Sequence, residues 1–342
     1  MKFEIVDSWN SYLNRIPSEK KDIYYTEEYT RLYESDADRS LCVVGEGDGN
    51  IILMPFLRGK VRDYYDFETA YGYGGPISNS DSDLWIVKAL HEMHNFFKDA
   101  GYICGFIRFH PLLQNALPCK ECFNVIYDRK TIAVDMRYTQ DEIWTNQISS
   151  KNRNMIRKAE KNGLSYKAEY DFKSLHHFID LYNETMQRIG ADEFYFFSEQ
   201  YHHNFADRLK GNAFLGTVLL DSEVVGAALL MRSGEYGHYH LAGSNRKKGS
   251  LGINNYLLWK TIEEMKGTTV KQFHLGGGTG PSKDDSLFKF KSAFSNQERD
   301  FYIGKWIFDE VVYQDVCNEW EMKYPDIKDK YRNLLLKYRY RK

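Results

Sequence analysis

The stretch that decides the fold is Tyr236–Phe294. It contains, in order, the strings HYHLAGSN (His238–Asn245), FHLGGG (Phe273–Gly278) and SLFKFKSAF (Ser286–Phe294). Alternating apolar and polar residues predict a strand at its start, and apolar residues at helical spacing predict a helix after the first string. The residues before the glycines predict a second, shorter strand. Three successive glycines then leave bare backbone that can approach a ligand closely. The stretch therefore predicts one wall of a binding cleft.

The composition is that of a globular protein with an ample core, because 42% of the 342 residues are hydrophobic and 27% are charged. The length favours two domains. A net charge of −2 argues against a dedicated nucleic-acid binder, so no DNA partner is expected. No apolar run reaches the ~20 residues of a membrane span, and the N-terminus lacks the apolar core of a secretion signal. Five scattered cysteines fit a reducing compartment, and a cytoplasmic location is expected.

The elements predicted in the first half of the chain recur in the same order in the second half. Each half has two apolar runs around a hairpin signal, an aromatic and glycine-rich stretch, a helix and a short strand. This repetition predicts an α/β (α+β) fold of two tandem units with mixed sheets flanked by helices. The first unit is expected over residues 1–140 and the second over 141–310, including a basic helix at 149–162. Residues 311–342 are predicted to form a basic helical tail.

Four strings are the most specific in the chain: KNRNMIRKAEKNG (Lys151–Gly163), TMQR (Thr185–Arg188), HYHLAGSN (His238–Asn245) and FKFKSAF (Phe288–Phe294). With these strings, the order of elements resembles the Fem family of peptidyltransferases and the neighbouring GNAT-like acyltransferases of envelope-polysaccharide clusters. The resemblance covers most of the chain, from Tyr71 to Asp309. It implies two GNAT-like units, no tightly bound cofactor, and amide formation in which an amine attacks aminoacyl-tRNA or acyl-CoA. The acceptor it implies is a cell-envelope precursor, in some relatives linked to a nucleotide.

The resemblance also implies that Phe290 and Lys291 lie at the reacting carbonyl. A fixed cation in a water-poor cleft stabilises the negative charge that acyl transfer builds on the carbonyl oxygen. The competing interpretation is a surface lysine whose stem covers Phe290 and Phe294. Of the two histidines on the predicted strand, His238 and His240, the second is the better candidate for a general base. A hydrogen-bonded structural role is the commoner one for a strand histidine, and no metal site is predicted.

Substrate contacts are expected from seven residues: Tyr73, Arg108, Arg188, Tyr239, Gly276, Gly277 and Gly278. The resemblance implies that Arg188 and Tyr239 contact the nucleotide diphosphate of a cell-wall precursor. The chain departs from the family at two positions. Relatives often have Asp-Pro where this chain has His110-Pro111, so an aspartate role is expected to be absent there. Asp192 stands where relatives carry a tyrosine, which weakens the case for an identical uridine nucleotide.

Donor contacts are expected from two groups of residues. Arg153, Arg157 and Lys161 share one face of the basic helix, where they either contact phosphates or form a solvated surface. Arg246 and Gly249 stand where GNAT enzymes hold a pyrophosphate on backbone amides. The Fem-like strings favour aminoacyl-tRNA, so charged tRNA is a candidate partner. The 246–252 loop and the lack of a helical arm that some tRNA-using relatives insert favour acyl-CoA.

The sequence thus predicts a cytoplasmic acyltransferase that forms an amide on an amine of a peptidoglycan or polysaccharide precursor. One alternative is an acyl-CoA-dependent N-acetyltransferase acting on an amino sugar. A further alternative is a non-catalytic RNA- or saccharide-binding protein on the same fold, against which the intact FKxxF string counts.

Overall fold

A computed structural model describes residues 1–341 of the chain. They form two compact units: unit 1 comprises Met1–Asp128 and the chain from Phe301 onward, and unit 2 comprises Arg129–Asp300. The sequence predicted unit boundaries at residues 140 and 310. In the structure the boundaries lie after Asp128 and after Asp300, each within a strand that begins a few residues earlier. Lys342, at the end of the predicted basic tail, lies outside the described residues.

The strands are β1 (Lys2–Val6), β2 (Asp38–Gly47), β3 (Asn50–Val61), β4 (Tyr64–Glu68), β5 (Ile77–Ser78), β6 (Tyr102–Arg108), β7 (Val125–Asp135), β8 (Ser165–Glu169), β9 (Ala213–Leu220), β10 (Glu223–Ser233), β11 (Tyr236–Ser244), β12 (Gln272–Gly277) and β13 (Glu298–Ile307). The α-helices are α1 (Asn10–Leu13), α2 (Glu27–Thr30), α3 (Asp83–Asp99), α4 (Ala116–Cys119), α5 (Gln140–Glu142), α6 (Ser150–Lys161), α7 (Leu175–Ile189), α8 (Glu199–Arg208), α9 (Ile253–Lys266), α10 (Ser286–Ser292), α11 (Glu310–Lys323) and α12 (Lys328–Tyr331). Within residues 1–341, no helix combines the length and the apolar character needed to cross a bilayer.

Unit 1 contains a mixed sheet with the strand order β1-β2-β3-β4-β6-β13, and β5 pairs with β3. β4 and β6 are parallel, and the remaining neighbours are antiparallel. Asp48 and Gly49, both with positive φ, form the two-residue turn of the predicted β2–β3 hairpin. Helix α3 lies between the parallel strands in sequence, and its Met93 and Phe97 join Phe67 in the core. The hairpin and the helix are confirmed.

Unit 2 repeats this arrangement with the strand order β8-β9-β10-β11-β12-β7. The parallel pair is now β11 and β12, with α9 between them in sequence. Leu258 and Ile262 of α9 pack with Phe273 of β12 and Phe294 in one buried core. The predicted mixed α/β fold with a repeated order of elements is confirmed.

In each unit, the strand at one end of the strand order is distant in sequence from the strand that it pairs with. β7 follows β6 in sequence but pairs with β12, whereas β13 follows β12 in sequence but pairs with β6. The pairing residues of β7 are 131–135, and those of β13 are 303–307. Each sheet is therefore completed by a strand that is remote in sequence from its own parallel pair.

The C-terminal segment folds onto unit 1. The segment predicted to form a basic helical tail contains α11 and α12, and after them the chain is mostly irregular, with a 3-10 turn at Lys337–Arg339. Arg339 binds the buried carboxylate of Asp66 through Nη2 and Nε, and the hydroxyl of Tyr338 donates a 2.7 Å hydrogen bond to the same carboxylate. Gly59 makes room for this contact, because a Cβ there would lie 2.3 Å from Arg339 Nη2. A tertiary ion pair thus determines the path of this basic segment.

Candidate functional site

The parallel strands β11 and β12 pair over only three residues, Tyr236–His238 with Gln272–His274. Beyond them, β11 continues to Ser244 and β12 to Gly277 with no further pairing between the two in the described chain. A β-bulge falls at His240, which the pairing with β10 skips. Bulges re-aim side chains and are over-represented beside active sites. We term the segments of β11 and β12 beyond their last pair the strand opening.

The three glycines at the end of β12 are each required for a different steric reason. Gly276 has a backbone φ of +77°, which residues other than glycine rarely adopt. A Cβ on Gly277 would lie 2.9 Å from the carbonyl oxygen of Lys130, and a Cβ on Gly278 would lie 2.4 Å from Oδ1 of Asp285. We call these three residues the glycine turn. It allows a neighbouring strand and a helix start to approach the end of β12.

Lys291 lies on α10 against the glycine turn and is only 8% exposed. Its Nζ donates a hydrogen bond of 2.8 Å to the carbonyl oxygen of Gly277, which is its one hydrogen-bond partner among residues 1–341. An ammonium has three N–H donors, so two remain for a ligand. Burial lowers the pKa of Lys291 to about 7, and the nearby Asp285 carboxylate opposes this shift. The ammonium and the neutral amine are therefore both accessible near neutral pH.

The two lysines of α10 have different surroundings. Phe288 and Phe294 are buried, and the half-buried ring of Phe290 lies 5.5 Å from that of Phe294, centroid to centroid. Lys289 instead points away from this aromatic cluster, is 61% exposed, and pairs with Asp284 at 2.7 Å. Of the two lysines in the FKFK string, Lys291 is thus the buried one, on a helix whose Phe288 is buried as well.

Asp285 joins the glycine turn to α10, and sequence reasoning missed it. Its Oδ1 accepts a 2.8 Å hydrogen bond from the backbone N–H of Phe288 and so caps the helix. Its Oδ2 accepts hydrogen bonds from the backbone N–H of Thr279, at 3.1 Å, and from the Thr279 hydroxyl. Burial raises the pKa of Asp285, but the hydrogen bonds from Thr279 and the backbone outweigh it, so the pKa is lowered. An aspartate directly before an apolar helical run is a signal that could have identified it.

His240 is held in a neutral form at the bulge. Its ring stacks on Phe205 with centroids 5.3 Å apart, and its Nε2 lies 2.8 Å from the hydroxyl oxygen of Tyr201. Burial, followed by the neighbouring His238 and His202, lowers the pKa of His240 to about 3. A histidine of such low basicity makes a weak general base near neutral pH. The role of general base for His240 stays a prediction that this environment does not favour.

The TMQR string ends α7 beside the end of β11. Thr185 Oγ1 accepts a 3.3 Å hydrogen bond from the backbone N–H of Ser244, and Nη1 of Arg188 lies 3.5 Å from the Ser244 carbonyl oxygen. The two elements meet this closely because a Cβ on Gly243 would lie only 2.4 Å from the α7 backbone. Arg188 is exposed, whereas Tyr239 packs against the unit 2 core and burial raises its pKa. Their contacts with a nucleotide diphosphate stay predictions.

The guanidinium of Arg153 binds backbone carbonyl oxygens of its own unit. Its Nη1 donates hydrogen bonds to the carbonyl oxygens of Trp144 and Thr145, both at 3.1 Å, and of Ile148 at 2.5 Å. Arg157 is exposed, and its guanidinium lies 5.3 Å from the centroid of the Trp144 ring. These contacts favour a structural role for Arg153 and leave Arg157 the better candidate for a phosphate contact.

Helix α6 adjoins the 3-10 turn Arg246–Leu251, so the two predicted donor groups lie on neighbouring elements. A Cβ on Gly252 would lie 2.9 Å from the Met155 carbonyl oxygen, and Asn255 donates a 2.7 Å hydrogen bond to Asn152. The cations of these two elements that are exposed, which we term the basic surface, are Lys151, Arg157, Lys158, Lys161, Arg246 and Lys247. Gly249 faces open space.

Tyr73 and Arg108 belong to unit 1. Arg108 donates two 3.0 Å hydrogen bonds to Glu68 Oε2 and one of 2.7 Å to the Thr69 carbonyl oxygen. The ring centroid of Tyr73 lies 5.6 Å from that of His110. These contacts hold both side chains within unit 1, and their roles toward substrate stay predictions.

His110, which stands where relatives often have aspartate, pairs with the carboxylate of Asp22. His110 Nε2 lies 2.9 Å from Asp22 Oδ2, and both side chains are fully buried. The backbone N–H groups of Leu112 and Leu113 donate to His110 Nδ1, which assigns the ring proton to Nε2 and makes Asp22 the acceptor. Asp22 and His110 are 88 residues apart, so the sequence carried no local signal of this pair.

Comparison with known proteins gives this geometry a context. Residues 149–289 match the family model of the acetyltransferase (GNAT) domain. The fold is that of the GNAT acyltransferases. The crystal structure of FemX aligns with a TM-score of 0.71 at 16% identity, over 92% of this chain and 99% of that chain. The tandem GNAT protein from the clavulanic acid biosynthesis pathway aligns with a TM-score of 0.50 at 8% identity, over 89% of this chain and 98% of that chain. These findings confirm the predicted resemblance at the level of the fold.

A third similar structure is the C-terminal domain (DUF2156) of a putative lysylphosphatidylglycerol synthetase from Agrobacterium fabrum. It aligns with a TM-score of 0.56 at 12% identity, over 87% of this chain and 92% of that chain. No curated protein matches the chain. The matched GNAT segment lies within unit 2 and spans α6 to the middle of α10, including the strand opening and the glycine turn. It ends at residue 289, just before Phe290 and Lys291. The buried lysine therefore lies at the edge of the matched GNAT segment.

Proposed function

We propose that this protein transfers an aminoacyl or acyl group to an amine of a cell-envelope precursor, in peptidoglycan or polysaccharide synthesis, and thereby forms an amide. The GNAT match and the FemX-like fold support acyl or aminoacyl transfer in general. One observation in the site carries the proposal. The buried amine of Lys291 is tied to Gly277 through a single hydrogen bond, and its remaining donors are available at the end of β12.

The transfer forms one bond and breaks another. The acceptor nitrogen attacks the donor carbonyl carbon, and a tetrahedral intermediate with a negative oxygen results. The amide forms as the bond to the ribose oxygen of a charged tRNA, or to the sulfur of a thioester, breaks. The proton lost by the amine is taken up by the leaving oxygen or sulfur. The protein's main task is therefore to stabilise the negative oxygen.

Lys291 suits this task because its position is fixed before the reaction. Its bond to Gly277 orients the amine, and the burial of the side chain lowers the local dielectric, which strengthens its attraction to a developing oxyanion. Phe290 provides part of this apolar wall. In its ammonium form Lys291 can donate to the oxyanion without breaking the bond to Gly277.

We propose aminoacyl-tRNA as the donor. The basic surface offers cations on two adjoining elements, which fits an extended polyanion better than a single pyrophosphate. Acyl-CoA is the second candidate, and a specific observation favours it: Gly249 faces open space in the turn that precedes α9. In that case the protein would act as an N-acetyltransferase on an amino sugar.

The proposed acceptor carries a phosphate group, as a nucleotide-linked precursor would. Arg188 supports this because it is exposed at the end of α7 and close to the last residue of β11. Tyr239 lies on the same strand. Guanidinium groups bind phosphate through paired hydrogen bonds, so Arg188 is suited to this contact.

The test is a labelled transfer assay. The protein is incubated with radiolabelled aminoacyl-tRNA or acetyl-CoA and a mixture of nucleotide-linked cell-wall precursors, beside a Lys291→Met control. We expect acid-stable label in a precursor with one donor and strongly reduced label with the variant. Absence of transfer from either donor, with RNA or saccharide still bound, would instead support a binding protein on this fold.

A further inference from the structure

We propose that Asp285 is a positioning residue that favours the ammonium form of Lys291 beside the Gly277 carbonyl, in readiness for the oxyanion. The inference rests on the proposed function, because it explains how the Lys291 cation is maintained in an apolar site. Nothing in the FKxxF string points to Asp285, which lies six residues before Lys291.

The glycine turn fixes both groups. Lys291 binds the carbonyl oxygen of Gly277, and the carboxylate of Asp285 lies so close to Gly278 that a Cβ there would clash with it. Successive residues of one turn therefore lie against the charged end of each side chain. The hydrogen bonds from Thr279 and from the backbone of Phe288 orient the carboxylate further.

Asp285 is the charge that favours the ammonium form of Lys291. Burial acts in the opposite direction and is the larger effect on the pKa of Lys291. Asp284 and Lys289, which flank the two groups, pair with each other. Further charged or titratable residues beside the glycine turn are His274 on β12 and Arg129 and Lys130 on β7. Each has a partner: His274 binds the Thr131 hydroxyl, Arg129 binds the Gly278 carbonyl, and Lys130 pairs with Asp300.

Capping alone does not account for an aspartate at this position. Asparagine, serine and aspartate cap helices about equally well, so the cap to Phe288 does not require a charge. Aspartate differs from asparagine and serine by carrying a full negative charge. Asp285→Asn therefore separates the two roles, because it retains an acceptor for the cap and removes the charge.

The experiment measures the protonation of Lys291 directly and needs no substrate. The folded protein is treated with trace acetic anhydride across pH 5 to 10, and acetylation of Lys291 is quantified by mass spectrometry, with the 73% exposed Lys173 as the internal reference. Asp285→Asn is compared with Asp284→Asn, which removes an equal charge from the adjacent, 90% exposed residue. Thermal melts establish that each variant is folded.

We expect a labelling midpoint for Lys291 near pH 7 in the parent protein and a midpoint about one unit lower in Asp285→Asn. A one-unit shift reduces the ammonium fraction at pH 7 about five-fold, and the transfer rate should fall by the same factor. Asp284→Asn should leave the midpoint unchanged. Thr279→Val, which removes one hydrogen bond but no charge, should shift it much less.

An unchanged midpoint in a folded Asp285→Asn protein would overturn the inference while leaving the proposed function intact. Conversely, a shifted midpoint combined with full transfer activity of Lys291→Met would show that the two groups are coupled but that Lys291 is not used in catalysis. The two failures are therefore distinguishable.

Discussion

Lys291 reaches back from α10 to the carbonyl oxygen of Gly277, with its Nζ 2.8 Å away, and thereby ties the helix to the residue at which β12 ends. The contact places the lysine amine at the end of the strand opening. It also accounts for the different surroundings of two lysines only two residues apart, since Lys289 is exposed.

Substitution of Lys291 by Met should reduce the turnover number and leave KM for the acceptor nearly unchanged. Methionine retains most of the apolar stem but lacks the charge, so the transition state loses one donor, which typically costs ~2.7–4 kcal/mol or a factor of ~10²–10³ in kcat. Lys289→Met is the matched control and should be mild. Steady-state kinetics with the donor identified by the labelled assay provides the measurement, and near-parental turnover would eliminate Lys291 as the oxyanion donor.

Substitution of Arg157 and Lys161 by Ala should reduce the salt dependence of tRNA binding. Each lost phosphate contact lowers the slope of log K against log salt by about 0.7–0.9, so the pair should lower it by about 1.4–1.8. Filter binding at several salt concentrations measures the slope. The control is Lys173→Ala, a 73% exposed lysine outside the basic surface. An unchanged slope would favour acyl-CoA, in which case a bulky residue at Gly249 should weaken CoA binding.

Arg153→Ala should behave differently from the substitutions of Arg157 and Lys161 on the same helix. Its guanidinium binds three backbone carbonyls, so its removal should destabilise unit 2 by about 1–3 kcal/mol, with little direct effect on tRNA binding. Urea unfolding followed by circular dichroism measures the loss. Lys158→Ala, an exposed change on the same helix, is the comparison. An unaltered unfolding midpoint, together with a smaller salt dependence of tRNA binding, would instead indicate that Arg153 contacts the donor.

His202→Phe should stabilise the protein and reduce its sensitivity to acid. The side chain is fully buried among Phe178, Tyr182 and Tyr201, and neither ring nitrogen has a hydrogen-bond partner within residues 1–341. Burial, and to a lesser extent His203, lowers the pKa of His202 to about 4. Replacement of an unsatisfied buried polar ring by an apolar one of similar shape is neutral to stabilising.

The sign of the pH effect follows from that pKa. The unfolded chain, with an ordinary histidine pKa near 6.5, binds a proton between pH 6.5 and 4 that the folded protein does not. The stabilising contribution is therefore complete above pH 6.5 and is lost as the pH falls to about 4, at about 1.4 kcal/mol per pH unit. His202→Phe should remove that slope, whereas the exposed His203→Phe should not. Unfolding curves at several pH values test this, and an unchanged slope would contradict it.

Local patterns predicted the helices and strands that carry most of unit 2. The run of apolar residues at helical spacing gave α9, and the Asp221-Ser222 turn gave the β9–β10 hairpin. The terminal strand β1 and the edge strand β8 were missed, and so were β4 and β13. β8 carries only short, mixed polar runs, so its strand character depends on pairing rather than on pattern.

The candidate site was predictable only where its functional residues lie close together in the sequence. Lys291 and the glycines could be named because they lie in one short stretch of recognisable strings. Asp22 could not be paired with His110, because only the tertiary fold brings the two together. The burial that lowers the pKa of His240 likewise depends on α8, whose packing no local pattern specifies.

The origin of the last strand in each unit has a consequence for synthesis on the ribosome. Residues 129–300 contain all the residues that pair within the unit 2 sheet, so that unit can close as soon as it has emerged. Unit 1 is made first but needs residues 303–307 beside β6. At ordinary elongation rates its sheet edge waits roughly 10–30 s for that strand. An open edge exposed for so long is a template for wrong pairing, so the nascent chain should depend on chaperones more than its mature stability suggests.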